Sequence, residues 1–100
     1  MKQTHLVNVQ IQLMKEGGTI VVYCPALDLC GYGKTADEAK KDFDVAFKIF
    51  VKETTEHGTL EKALEELGWK KIEIQNQPRW QPQIELLGES VQEVPLAIPV

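Results

Sequence analysis

The chain has 100 residues, 43% of them hydrophobic and 26% charged, with a formal charge of −4. That is enough chain for one domain with one core, and no apolar run comes near the roughly 20 residues needed to span a bilayer. The N-terminus, "MKQTHLVNVQIQL", alternates polar with apolar residues and lacks a continuous apolar signal core, so a cytoplasmic location is expected.

The charge is unevenly spread. Residues 35–67 carry five basic and nine acidic side chains, while the segments on either side are close to balance. A protein that grips phosphate backbones needs a basic face from which counterions are released. Here the pattern runs the other way: a basic partner is expected, and direct DNA binding is not. Cys24 and Cys30 lack C-x-x-C spacing, so they are read as packed, reduced thiols rather than a metal or redox pair.

Taken in chain order, residues 4–14 place Val7, Val9, Ile11 and Leu13 on one face and Asn8, Gln10 and Gln12 on the other. This is the two-residue period of a half-buried strand. "KEGG" at 15–18 turns the chain into "TIVVYC" at 19–24, apolar on both faces and so an inner strand paired antiparallel with the first. Pro25 ends or bends it, because proline cannot donate a ladder hydrogen bond. A third, shorter strand is expected through "LDLCGY" at 27–32.

From Ala36 the period changes. Ala36, Ala39, Phe43, Ala46, Phe47 and Phe50 recur every three or four residues, which predicts an amphipathic helix reaching Lys52–Glu56. Val45, Ile49 and Val51 widen the stripe and imply cover on more than one side. Asp37 and Glu38 at the start, and Lys48 and Lys52 toward the end, suit the helix dipole.

A second, short helix is expected at 57–69, with Thr59 as N-cap, Leu60, Ala63, Leu64 and Leu67 buried, and Gly68 as its stop. "KIEIQ" at 71–75 alternates as a strand. "NQPRWQPQ" at 76–83 has no period and reads as a connection, after which "IELL" and "VQEVPLAI" suit short strands, Pro95 restricting the latter to an edge.

"GYGKTADEA" at 31–39 ends its first part in G-K-T, as a phosphate-binding loop does. The position five before Gly33 is Asp28 rather than glycine, so the loop is too short to wrap phosphates. The alternative accounts for more residues: Thr35 and Glu38 form a capping box, with the glutamate reaching back to the Thr35 amide, and Gly33 permits a sharp turn before it. Pro25, Gly33, Thr35 and Glu38 are thus a strand-to-helix hinge.

These residues carry a family resemblance. Pro25-x-Leu27, then Gly33-x-Thr35-x-x-Glu38-Ala39, then Ala46 and an aromatic-aliphatic helix, resembles the HicB-like antitoxin family over about residues 5–56. The family's usual P-x-L-P-G-C is here Pro25-Ala26-Leu27-Asp28-Leu29-Cys30, and residues 57–100 offer no ribbon-helix-helix or helix-turn-helix. The resemblance implies a partial ribonuclease H-like α+β fold: a small antiparallel β-sheet (β-β-β-α, then a short helix and additional strands) with a long helix packed on one face. It also implies that the chain neutralises a small basic RNA-cleaving, HicA-like toxin by binding it, and that it self-associates.

The domain is taken as residues 1–76, with 77–100 a proline-containing extension packing on the same domain or on a second subunit. No catalytic constellation, cofactor site or metal site is evident, and the chain is not expected to be an enzyme. Val21 and Tyr23 need cover on the face away from Val22. Trp80, beside Pro78 and Arg79, is an interface candidate set against the plainer reading that it tucks onto the sheet. Val94, Leu96 and Ile98 make the C-terminal stretch apolar and able to pair with another subunit. A homo-oligomer, most simply a dimer, is expected. The rival reading is a stand-alone scaffold or small-ligand module of the same fold with no toxin partner.

Overall fold

Two glycines between Glu16 and Thr19 fold residues 4–24 into a hairpin, and Gly17 takes the left-handed angle (φ +61°) that such a turn requires. In this computed structural model, which describes residues 4–88 and 91–99, the hairpin joins β1 (Thr4–Glu16) to β2 (Thr19–Cys24). There follow β3 (Leu29–Gly33), α1 (Ala36–Glu56), α2 (Leu60–Glu66), β4 (Lys70–Ile74), β5 (Gln77–Gln81) and β6 (Gln92–Pro99). Four strands form one antiparallel sheet in the order β3-β2-β1-β6, and β4 pairs with β5 apart from it. The fold is α+β, an antiparallel sheet with a long helix packed on one face. No described helix is long and apolar enough to cross a membrane.

Register sorts the two faces of the sheet. Leu13, Val22 and Gly31 lie in one cross-strand row beneath α1, and Ile11 and Val9 continue that face toward Leu96 and Ile98. The helix meets it with Ala39, Phe43 and Phe47, all buried, so the three-and-four spacing in the sequence marks the side that packs. Val45 and Ile49 do not widen this stripe. At about 100° per residue they fall opposite Phe43 and Phe47, and they stay 54% and 51% exposed.

The G-x-G of β3 is a packing device. A Cβ on Gly31 would stand 2.3 Å from the Phe43 nitrogen, and one on Gly33 would stand 2.6 Å from the Ala39 nitrogen. The missing side chains let the backbone of α1 rest directly on that of β3. Gly33 has no left-handed angle, so the expected sharp turn there is replaced by close approach. Thr35 is the N-cap: its hydroxyl accepts the Glu38 amide at 3.1 Å. Glu38 does not return to Thr35 as a regular capping box would. Its carboxylate accepts the Lys34 amide at 2.8 Å, one residue earlier, because that amide points off the free edge of β3.

The C-terminal third belongs to the same core. Gly68 stops α2 with φ +92°, and the next residue, Trp69, donates its indole N–H to the Ala26 carbonyl at 2.7 Å. Residues 77–81 are a strand, not a connection. Gln75 and Asn76 both adopt positive φ (52° and 63°), a two-residue turn of type I′ that pairs β4 with β5. Ile84–Leu87 forms no strand, whereas β6 pairs along β1 from Gln92 to Pro99 as the outer strand, with Pro95 opposite Asn8. Val100 lies outside the described residues.

Candidate protein-binding surfaces

Three features of the surface bear on what this fold can do: its edges, its uncovered sheet face and its helical charge. The two outer edges of the sheet, β3 and β6, are guarded against strand addition. On β3, the outward amides of Tyr32 and Lys34 donate to the carboxylates of Asp42 and Glu38, each at 2.8 Å. On β6, proline is tolerated only where its nitrogen faces away from the neighbouring strand. Pro95 and Pro99 therefore remove two donors from the outer edge. Side-chain caps and edge prolines are the usual means of preventing edge-to-edge association.

The sheet face away from α1 is open. Met14, Val21 and Tyr32 form one cross-strand row on it, and Gln12, Tyr23 and Cys30 form the next. Met14 is 45% and Tyr32 56% exposed, and between them Val21 is buried by its own neighbours. Tyr23 donates its hydroxyl to Asp28 at 3.1 Å. That bond, more than any other influence, pushes its phenol pKa up, so it remains a protonated donor. The Tyr32 phenol is also pushed up, first by Cys30.

All nine carboxylates of residues 35–67 are exposed. Asp44 pairs with Lys48 at 2.8 Å and Glu61 with Lys71 at 2.7 Å, while Glu38 and Asp42 cap β3. Asp37, Glu53, Glu56, Glu65 and Glu66 have no ion pair among the described residues. Four of these, Glu53, Glu56, Glu65 and Glu66, crowd the C-terminal ends of α1 and α2. Neither helix has a basic residue in its last turn, so the expected benefit from Lys48 and Lys52 falls short of it. A carboxylate there opposes the helix dipole, at about 0.3–1 kcal/mol each.

The interface candidates from the sequence land mostly inside the chain. Trp80, Leu96 and Ile98 are core residues, Val94 packs against that core half-buried, and Val21 is buried. Tyr23 is half-buried on the open face. Trp80 and the C-terminal strand cover this chain's own sheet and helices, so they are corrected from interface to core. The sequence reading missed Met14 and Tyr32; knowing which face α1 covers would have found them. Of the hinge residues, Pro25 follows β2 half-buried, and Gly33, Thr35 and Glu38 hold the start of α1.

The other reactive groups are quiet. Cys24 is a buried free thiol whose pKa burial pushes up, and Cys30 is a half-buried free thiol. The His57 ring sits 2.8 Å from the Glu53 carbonyl, at the end of α1. Among the described residues no three of His, Cys, Asp and Glu converge on a point that could hold a metal. No family model, curated protein or solved structure matches the chain.

Proposed function

We propose that this chain is a non-catalytic binding module of the HicB-like antitoxin type, which neutralises a small basic RNA-cleaving protein by covering it. The supporting observation is the placement of Glu53, Glu56, Glu65 and Glu66 at helix ends where they cost the fold stability. Charges that weaken their own helices are accounted for by something they bind, and opposite potential both speeds encounter and selects the partner. The hinge of Pro25, Leu27, Gly33, Thr35, Glu38 and Ala39 adds the family resemblance to that electrostatic argument.

The same reading makes the chain self-associating. With the outer edges guarded, two copies would meet through the open face around Met14 and Tyr32 rather than by extending the sheet at β3 or β6. The functional test is co-expression with a small basic protein encoded beside this chain's gene. The proposal expects a complex that survives two purification columns and loss of RNA cleavage within it. Absence of a complex, or cleavage unaffected by saturating amounts of the chain, overturns it.

A further inference from the structure

β1 is longer than its partners, and the mismatch leaves an unpaired edge. Residues 12–16 pair with β2 and residues 4–11 pair with β6 on the opposite side. Because Pro95 faces Asn8 and Pro99 faces Thr4, the even-numbered residues of β1 direct their backbone groups away from β6. Beyond Cys24 the chain leaves through Pro25, so no described strand takes the place of β2 beside Leu6, Asn8 and Gln10. No strand pairs with those backbone groups from that side among the described residues, and none of the backbone bonds outside the strands reaches them.

A cleft of about 520 Å³ lies beside Val7, Asn8 and Gln10 of this edge, between β1 and the irregular segment 81–86. One latch closes it: the Gln10 carboxamide donates to the Leu86 carbonyl at 3.3 Å and accepts the Leu86 amide in return. The segment is otherwise lightly held, with Ile84 45% and Leu87 87% exposed. Glu85 and Glu93 line the cleft, and among the described residues no lysine or arginine does.

We infer that this cleft is a docking site for an extended, basic polypeptide segment, which pairs as a strand along Leu6–Gln10 when the Gln10–Leu86 latch opens. The edge supplies donors and acceptors at strand spacing over roughly 14 Å, at ~3.4 Å per residue. Main-chain pairing supplies the affinity of strand addition, and the two glutamates select the charge. This site lies apart from the helical carboxylates and does not depend on what they bind.

The test uses the full chain, isotope-labelled for NMR, and three acetylated, amidated heptapeptides. One alternates lysine with valine and threonine, one has glutamate in place of lysine, and the third repeats the first with alternate backbone nitrogens methylated. The basic peptide is expected to shift the Asn8, Gln10 and Leu86 amides, and the acidic one to leave them unmoved. Methylation removes backbone donors without changing charge, so it should weaken binding about fivefold or more, as loss of one or two hydrogen bonds does. Gln10→Leu, which removes the latch, should tighten the basic peptide, and Glu85→Lys on the exposed rim should weaken it. Equal binding of the methylated and unmethylated basic peptides would overturn strand pairing, as would shifts confined to α1 and α2.

Discussion

The Phe43 amide nitrogen lies against Gly31 so closely that a single methyl on the glycine would stand 2.3 Å from it. That contact fixes which face of the sheet α1 covers, and so which face stays open. Gly31→Ala should therefore cost about 3 kcal/mol, the upper part of the overpacking range, measured by urea unfolding. Gly18→Ala is the control: nothing lies within 4 Å of its Cβ and its angle is not left-handed. A cost below about 1 kcal/mol at Gly31 would mean that the helix does not rest on β3.

The carboxylates that close β3 are separable from the cap that starts α1. Thr35→Ala should cost about 1 kcal/mol, as an N-cap loss does, without promoting association. Glu38→Ala with Asp42→Ala frees the amides of Lys34 and Tyr32. The double variant is expected to aggregate faster than the parent in light scattering, as an uncovered edge does. Equal aggregation rates would show that the caps do not guard the edge.

His5 makes part of the stability pH-dependent. Its Nε2 accepts the Trp80 amide at 3.2 Å, while its buried Nδ1 has no partner among the described residues. Burial lowers its pKa below the ordinary histidine value, Arg79 adds to the lowering, and the amide bond that Nε2 accepts is kept only by the neutral ring. A histidine harder to protonate folded than unfolded contributes stability above the unfolded pKa, and that stability is lost as pH falls from there toward the folded value. Unfolding free energy should drop below about pH 6.5, and less steeply in His5→Gln. An equal drop in both proteins would assign the effect elsewhere.

Met14→Asp places a charge on the open face without touching the core, since Met14 is 45% exposed. Size-exclusion chromatography with light scattering is expected to report a dimer for the parent at micromolar concentration and a monomer for the variant. A parent that is already monomeric removes the self-association proposal.

Much of the fold was legible because its signals are periodic. The alternation of Val7, Val9, Ile11 and Leu13 gave the long strand, Gly17 and Gly18 gave its turn, and the spacing of Ala39, Phe43 and Phe47 gave the helix. β5 was hidden for a local reason. Its turn is Gln75-Asn76, and glutamine at positive φ (52°) lacks the asparagine-glycine signature that announces such hairpins. Without that strand, Trp80 looked like a loop residue and its burial could not be foreseen. One sequence does not distinguish a glycine needed for its angle from one needed for its absent side chain, so the turn expected at Gly33 proves to be a close approach. The candidate surfaces were less legible still, since Met14 and Tyr32 become neighbours only through the pairing of β1, β2 and β3.

The most direct measurement takes the four glutamates at the helix ends together. In Glu53→Lys/Glu56→Lys/Glu65→Lys/Glu66→Lys, each replacement puts a favourable charge where an unfavourable one stood, so the helices should gain at least about 1 kcal/mol in total. Calorimetric titration of the small basic protein into parent and variant then reads the function separately from the fold. The expected result is a variant at least as stable as the parent that no longer binds. A variant that binds as tightly as the parent would contradict it.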